Sequence, residues 1–232
     1  SLVGSEMCIR DRSLGLIYGY EFDGIYQYSD FYSVPGSSTL VLKEGVTSNP
    51  SLGNRLAPGA VKYKDQDGDG VITTKDRTVI GNALPKWYGG ITNTFNYKGI
   101  DFSFMLQFNY GNDIYNATRL YATQTNTQRR NQLAEVADRW SPTNASNKVP
   151  SYNGYVVNDV YSRFVEDGSF LRLKNITLGY TLPHKWTRSF HASKLRIYAT
   201  GQNLFCLNNY SGYDPEVSTA SKSPMTPGLD WG

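Results

Sequence analysis

The chain has 232 residues, of which 19% are charged and 14% are aromatic, and its formal net charge is +3. Disordered chains carry few aromatic residues and a high net charge, so the composition excludes that class. The small positive charge is scattered and forms no basic stripe, so nucleic acid is not an expected partner. No apolar run approaches the roughly 18 residues of a membrane-spanning helix. A membrane β-barrel is not excluded, because apolar and polar residues alternate along its strands.

Residues 1–12 (SLVGSEMCIRDR) have neither the alternation of the later segments nor the apolar stretch of a signal peptide. We expect a non-native leader here, followed by a single structural region over residues 13–232. Cys8 and Cys206 lie far apart and have no metal or redox spacing, so two isolated thiols are favoured over a disulfide. The first strand candidate covers residues 14–26, where the alternation is weak.

Residues 65–76 (DQDGDGVITTKD) match the pattern D-x-D-x-D-G-x5-D of calcium-binding loops. Ca²⁺ takes about six to eight oxygen ligands, and one tight acidic loop can supply them. The final ligand is Asp instead of the Glu of an EF-hand, which resembles the dockerin version of the loop. The alternative is a solvated acidic turn, but every ligand position is filled, so we expect a structural calcium site. The expected ligands are carboxylates, one backbone carbonyl and one residue holding a bridging water, namely Asp65, Asp67, Asp69, Asp76, Val71 and Thr73.

The clearest strand pattern lies in residues 87–111. Apolar and polar residues alternate strictly from Ile100 to Tyr110, so one face of the strand would be apolar and the other mostly polar. The preceding residues alternate as well, and Lys98-Gly99 between the two segments fits a tight hairpin turn. Strands of roughly ten residues are longer than those usual in soluble proteins and match the length of membrane-barrel strands.

The same alternation returns in residues 175–182 and 195–202, which brings the predicted strands to about five. The connections between the strands are unequal, because residues 27–86 and 112–169 are long and polar while the other links are short. Compact soluble domains rarely contain loops longer than about 15 residues. Residues 131–140 within the second long connection have helical spacing and predict a short helix.

Aromatic residues are concentrated near the ends of the predicted strands, as at Trp87, Tyr110 and Trp186. Such rings are typical of the boundary between lipid and water, although they could also fill the core of a β-sandwich. Short turns at one end and long loops at the other favour an outer-membrane barrel. The predicted fold is therefore all-β, a partial antiparallel transmembrane β-barrel of about five strands. Its extracellular loops would be long, one of them containing a short helix.

The sequence gives little support for catalysis, and we expect no enzyme. His184 and His191 lie near a predicted turn beside Lys and Arg residues, which is typical of surface histidines. Glu166 and Asp167 could be a carboxylate pair for sugar cleavage, but neighbouring residues of a strand point to opposite faces. A calcium-dependent glycoside hydrolase is therefore a third and weaker interpretation. A secreted calcium-binding β-sandwich that binds carbohydrate is the main alternative, and it would be soluble without detergent.

Several separate segments resemble SusC/RagA-type TonB-dependent outer-membrane transporters. The acidic loop at residues 65–76 and the WYGG segment at residues 87–90 are similar to the family pattern and occur in its order. The resemblance covers about residues 14–232. The other matching segments are SRFVEDGSFLRLKNITLGY at residues 162–180, LRIYATGQNLF at 195–205, YSGYDPE at 210–216 and GLDWG at 228–232.

The resemblance implies a C-terminal piece of a longer chain, without its N-terminal plug, its TonB box, most strands and the final strand. Members of the family import oligosaccharides or peptides across the cell outer membrane, with energy relayed by TonB and with a surface lipoprotein of the SusD type. In this topology both long connections, including the calcium loop, would face outward. The polar residues expected to face the barrel lumen are Gln107, Asn109, Arg196, Tyr198 and Gln202.

Overall fold

A computed structural model of the chain describes most of its residues in two compact units. The expected leader at residues 1–12, including Cys8, lies outside the described residues, as do Leu14, His191 and Trp231. The first unit comprises the described residues of 1–84, 114–166 and 217–232, and the second those of 85–113 and 167–216. The described residues are 15–36, 39–124, 131–156, 159–188, 192–217 and 228–230.

Strands predominate over helices throughout the described residues. The strands are β1 (Leu16–Gly19), β2 (Phe22–Ile25), β3 (Phe31–Ser33), β4 (Leu40–Leu42), β5 (Val61–Tyr63), β6 (Thr78–Asn82), β7 (Trp87–Tyr97), β8 (Ile100–Tyr110), β9 (Asp113–Asn116), β10 (Val165–Asp167), β11 (Phe170–Thr181), β12 (Arg196–Asn208) and β13 (Leu229–Asp230). The α-helices are α1 (Ala117–Thr123) and α2 (His184–Thr187). Short 3-10 helices cover Tyr28–Asp30, Pro50–Arg55, Thr74–Asp76, Ala134–Asp138 and Ser162–Phe164.

The longest strands lie in the second unit and form one antiparallel sheet in the order β12-β11-β8-β7. In that order they contain 13, 12, 11 and 11 residues. Lys98 and Gly99 form the turn between β7 and β8 with φ angles of 46° and 86°. Positive φ at both positions is what a two-residue hairpin turn of type I′ requires. The predicted hairpin is confirmed, since Tyr97 pairs with Ile100 directly across this turn.

One face of this sheet is apolar and exposed. Phe102 of β8 pairs with Phe95 of β7 on one side and with Leu178 of β11 on the other. The exposed fraction is 53% for Phe95, 53% for Leu178 and 62% for Ile197. In a β-sandwich a second sheet would bury such a face. The exposure therefore argues against the sandwich that the sequence left open.

A bulge in β11 interrupts the regular pairing of this sheet. Lys174 is an extra residue, because the residues on either side of it pair with consecutive residues of β8. On β12 the irregularity includes Asn203, which has a positive φ of 49°. Strand β8 stays regular through this region. Its alternate residues therefore identify which residues of the neighbouring strands share a face.

The first unit contains small sheets around a core of its own. Strands β1 and β6, β2 and β5, and β3 and β4 form antiparallel pairs, and β13 lies parallel to β9 in the sheet β10-β9-β13. Tyr63, Tyr161 and Phe164 are fully buried, and Tyr20 stacks on Tyr63 with ring centroids 4.8 Å apart. The connections that the sequence predicts as long loops are therefore folded around buried aromatic residues.

The segment predicted as the first strand, residues 14–26, forms two short strands instead of one. β1 pairs with β6, whereas β2 pairs with β5. Tyr20 lies between them and bonds elsewhere, since its N–H donates to Val160 O at 2.9 Å and its carbonyl accepts the Ser162 N–H at 3.0 Å. The chain changes partners at this point, which the weak alternation alone does not indicate.

The helix expected over residues 131–140 is shorter than predicted and is a 3-10 helix, Ala134–Asp138. Val136 and Trp140 of its predicted apolar side are buried, but Leu133 is 43% exposed. An α-helix that the sequence reading missed, α1, precedes it in the same connection. Among the described residues no helix has both the length and the apolar character needed to cross a membrane.

Candidate metal centre and polar sheet face

The acidic loop at residues 65–76 follows β5 and ends in the 3-10 helix that precedes β6. Ser48 attaches the middle of the loop to the rest of the unit. Its N–H donates to Gly70 O and its carbonyl accepts the Ile72 N–H, both at 2.8 Å. Ile72 is buried in the core of the first unit. The loop is therefore anchored by backbone pairing and by one apolar side chain.

Three of the predicted carboxylate ligands converge. One carboxylate oxygen each from Asp65, Asp67 and Asp76 lie within 4.8 Å of one another. Asp76 is buried, Asp65 is partly buried and Asp67 is exposed. Carboxylate oxygens are ligands that Ca²⁺ prefers, and each keeps lone pairs beyond those used in single hydrogen bonds. The donor set therefore fits a hard cation.

Backbone N–H groups hold two of these carboxylates in position. Asp65 accepts the N–H groups of Gly68 and Gly70, each at 2.7 Å, and both glycines have positive φ, 77° and 81°. Asp76 accepts the N–H groups of Gln66 at 2.9 Å and Thr73 at 2.7 Å. Burial raises the pKa of Asp76, but the hydrogen bonds from these backbone groups outweigh it and hold that pKa below its ordinary value. Asp76 is therefore ionised at neutral pH.

The remaining predicted ligands make local contacts around the same loop. Asp69 accepts the Val71 N–H at 2.8 Å. The Thr73 hydroxyl accepts the Lys75 N–H at 3.2 Å and caps the short helix. Asp69 is not part of the converging group of carboxylates. The role of all six residues as calcium ligands stays a prediction.

The residues expected to face a lumen all occupy one face of the four-stranded sheet. The β8 residues on the face opposite Phe102 pair with Arg172 and Asn175 of β11. These two residues pair in turn with Cys206 and Gln202 of β12. The same registers place the whole predicted set on this side. That this face lines a barrel interior stays a prediction. The set is Gln107, Asn109, Arg196, Tyr198 and Gln202.

Charged side chains on this polar face are paired. Arg196 donates through Nε to Asp101 Oδ1 at 3.0 Å and through a second nitrogen to the other oxygen, the two-bond geometry typical of Arg and carboxylate. Gln107 donates to Glu216 at 3.4 Å. Sequence reasoning missed a second charged group around Arg172. The signal for it in the sequence is the acidic segment YSGYDPE at residues 210–216.

Among the described residues, those weighed for catalysis are not assembled into a reactive group. Glu166 binds the Arg119 guanidinium at 3.0 Å, and His184 is exposed at the start of α2. Both positions are accounted for by ordinary structural roles.

A sheet of long antiparallel strands with one exposed apolar face and one polar face is the architecture of outer-membrane β-barrel strands. No protein-family model matches the chain. TonB-dependent receptor P3 of Formosa agariphila is 34% identical over 225 residues, which are 95% of this chain and 21% of that receptor. TonB-dependent receptor P26 of the same organism is 38% identical over 167 residues, 71% of this chain and 17% of that receptor. TonB-dependent receptor SusC of Bacteroides thetaiotaomicron is 30% identical over 158 residues, 68% of this chain and 15% of that receptor.

Solved structures have the same fold. The RagAB peptide transporter matches with a TM-score of 0.63 and 19% identity, over 93% of this chain and 20% of that chain. The chain belongs to the SusC/RagA-type TonB-dependent receptors. It spans about a fifth of the length of the curated relatives it matches. These relatives are named as receptors, which agrees with the expectation of a protein that is not an enzyme.

Proposed function

We propose that this chain is part of an outer-membrane active transporter that imports oligosaccharides or peptides. The single observation that carries the proposal is the four-stranded sheet with an exposed apolar face and a polar face. Strands of 11 to 13 residues are long enough to cross a bilayer, for which about 9 to 11 tilted residues are needed. The apolar face would contact lipid and the polar face would contact the water-filled interior.

The edges of the sheet support its place in a larger barrel. Within the described residues, β7 and β12 each pair on one side only. Unpaired backbone groups are not tolerated in hydrocarbon, so both edges would pair with neighbouring barrel strands supplied by the complete receptor. The chain by itself is therefore not expected to transport cargo.

The proposed energy source and partner follow from the family. Its curated relatives are TonB-dependent receptors, and we extend TonB dependence to the complete receptor that contains this chain. One structural neighbour is a peptide transporter, which keeps peptides beside oligosaccharides as cargo. A SusD-type surface lipoprotein is the proposed partner, on the resemblance to SusC/RagA-type transporters.

We also propose that the loop at residues 65–76 binds a structural Ca²⁺ ion. Asp65, Asp67 and Asp76 would hold the ion, with further oxygens from Asp69, Val71 and Thr73. When bound, the ion would neutralise the clustered carboxylates. The protein's own contribution is to position them, because Asp76 already joins Gln66 to Thr73 through its two oxygens. Attachment through Ser48 would transmit this rigidity to the rest of the first unit.

Uptake by cells tests the proposed transport. Cells expressing the complete receptor would be incubated with panels of labelled oligosaccharides and peptides, and matched cells would lack the receptor, TonB or the surface lipoprotein. We expect accumulation of at least one labelled compound, lost in all three deletion strains. Accumulation unaffected by removal of the receptor or TonB would contradict the proposal.

Fractionation separates the transporter from the secreted β-sandwich module. The complete protein should sediment with outer membranes and require detergent for extraction. A protein that is recovered folded from the soluble secreted fraction would support the carbohydrate-binding module instead.

A further inference from the structure

The chain after β12 turns back over the polar face of the sheet. Asn208, the last residue of β12, pairs with Phe170 at the start of β11. Asp214 and Glu216 nevertheless contact Arg172 and Lys174, which lie further along β11 in the opposite direction. Residues 209–216 therefore fold back over the face that contains the residues expected to line the lumen. This segment is called the return segment below.

Two cations hold the acidic end of the return segment. The Arg172 guanidinium donates to Asp214 and lies 3.3 Å from the Glu216 carboxylate. Lys174 Nζ lies 2.9 Å from Glu216, and Gln107 donates to the same carboxylate. Lys174 is two residues beyond Arg172 on β11, so the two side chains point to the same face and reach the same carboxylate. Cations and carboxylates are thus matched in number across this contact.

The other end of the segment is fixed by packing. Tyr210 is buried, and its N–H donates to Asn208 Oδ1 at 3.0 Å. The Glu216 N–H donates to Asp214 Oδ1 at 2.8 Å, so the acidic end has a defined turn. Between these anchors Tyr213 is 93% exposed. The return segment is therefore fixed at both ends and exposed at Tyr213.

The cations are more enclosed than the carboxylates that pair with them. The Arg172 side chain is 9% exposed, whereas the side chains of Asp214 and Glu216 are 51% and 40% exposed. Ion pairs with exposed partners contribute little to stability, while an enclosed cation with no partner is strongly unfavourable. Another carboxylate can therefore replace those of the segment, whereas leaving Arg172 unpaired is disfavoured.

Arg172 also retains a donor for such a replacement. Its Nε is buried and has no hydrogen-bond partner among the described residues. A guanidinium binds a carboxylate best through two parallel N–H groups. In the present arrangement the two terminal nitrogens of Arg172 contact different carboxylates. A single incoming carboxylate could instead accept two parallel hydrogen bonds from the guanidinium.

We propose that Arg172 and Lys174 form a carboxylate-binding site on the polar face, which the chain's own Asp214 and Glu216 occupy until an acidic group of the cargo displaces them. This inference rests on the proposed transport function, since the cargo must pass along this face. Acidic sugars and acidic peptides share the required chemistry. Binding of either would release the return segment and change access to the neighbouring surface.

Cys206 provides a native reporter of that access. Its Sγ lies 3.7 Å from an Arg172 nitrogen, its thiol is free and the residue is partly exposed. The complete receptor in detergent would be treated with N-ethylmaleimide, and the labelling rate of the peptide containing Cys206 would be followed by mass spectrometry. The probes are tri-galacturonic acid and a tripeptide of glutamate, with a neutral galactose trimer and triglutamine as their matched controls.

We expect at least one acidic probe to raise the labelling rate severalfold and the neutral probes to leave it unchanged. A response to the sugar alone or to the peptide alone identifies the source of the carboxylate, and a response to both shows recognition of the carboxylate itself. A rate that no acidic probe changes, or that neutral probes change equally, would overturn the proposal.

Variants test the same contact, first without any probe and then with the acidic probes. Glu216→Gln should raise the basal labelling rate severalfold, because it removes the charge that both cations share, while Glu44→Gln at an exposed acid should not change it. Arg172→Lys keeps the charge but loses the fork, so the acidic probes should act at higher concentration. Heat modifiability on gels checks that each barrel is folded. The thiol assay requires no transport, so its failure and the loss of uptake are separate outcomes.

Discussion

Asp76 accepts the backbone N–H of Gln66 at 2.9 Å and thereby joins the two ends of the loop at residues 65–76. Its other oxygen accepts the Thr73 N–H. The loop is therefore closed by contacts within the protein itself, independently of any metal ion. Asp67 differs from Asp76 because its side chain is exposed and its carboxylate accepts the Asp69 N–H at 3.2 Å. The two carboxylates should respond differently to substitution.

Calcium should protect the first unit from proteolysis. Substitutions at Asp67 and Asp76 should distinguish the effect of the ion from that of the hydrogen bonds within the loop. Asp67→Asn should reduce the protection by calcium while leaving the rate in chelator almost unchanged. Asp76→Asn should also accelerate cleavage in chelator, since hydrogen bonds to a charged acceptor contribute about 2 kcal/mol. The measurement is limited proteolysis of the complete protein with Ca²⁺, Mg²⁺ or chelator.

Glu44→Gln serves as the control for that experiment, because Glu44 is exposed and lies outside the loop. Equal cleavage rates with calcium and with chelator in the unsubstituted protein would contradict the proposed calcium site. The hydrogen bonds of Asp76 would then be structural only, and Asp76→Asn would still accelerate cleavage.

The alternation of apolar and polar residues predicted the four long strands, because each strand has an apolar environment on one face and a polar environment on the other. From Ile100 to Tyr110 a period of two is preserved across the whole strand, and the register of β8 follows it. The acidic spacing likewise predicted the convergence of Asp65, Asp67 and Asp76. Local sequence patterns therefore predict those features that depend on residues close together in the chain.

The parts that the sequence did not predict depend on contacts between distant residues. Tyr20 changes strand partners because of Val160 and Ser162, which lie far away in the chain. In the sequence, Arg172 is one polar residue of an alternating strand. Only folding brings its side chain into contact with Asp214. Pairing of this kind leaves no periodic signal, so composition and spacing cannot predict it.

The pH stability of the first unit should depend on Glu135. Hydrogen bonds from Arg119 at 2.8 Å, together with the nearby Arg163, lower the pKa of Glu135 from its ordinary value of 4.5. A carboxyl whose pKa is lower in the folded state stabilises the fold above its ordinary pKa. That stabilisation is lost as the pH falls from about 4.5 through the lower folded value.

Emission of Trp140, which is buried in the same unit, would be combined with proteolysis between pH 7 and pH 3 to measure this effect. Glu135→Gln should lower the stability at pH 7 by about 1 kcal/mol, because the pair is partly exposed, and should flatten the acid transition. Glu44→Gln should leave the transition in place. An acid transition identical in all three proteins would contradict this role of Glu135.

The hairpin turn should not tolerate a side chain at Gly99. Gly99 has a φ of 86°, and a Cβ atom there would lie 2.7 Å from the Thr181 carbonyl oxygen. Gly45 has a similar φ of 82° but nothing within 4 Å of the corresponding position. Gly45→Ala should therefore cost about 1 kcal/mol from backbone strain alone, and Gly99→Ala should cost more. The yield of heat-modifiable receptor in outer membranes compares them, and equal yields would contradict the close approach.

Adjacent residues of β11 provide the sharpest test of the two faces. Leu178 is on the exposed apolar face, and Thr177 is on the polar face, where its hydroxyl lies 3.1 Å from that of Thr200. Leu178→Arg should place a charge against hydrocarbon at a cost of about 2–4 kcal/mol near the bilayer centre. Thr177→Arg should be tolerated because its side chain would reach water. The amount of folded receptor in the outer membrane measures both, and equal loss from both substitutions would contradict the assignment of the faces.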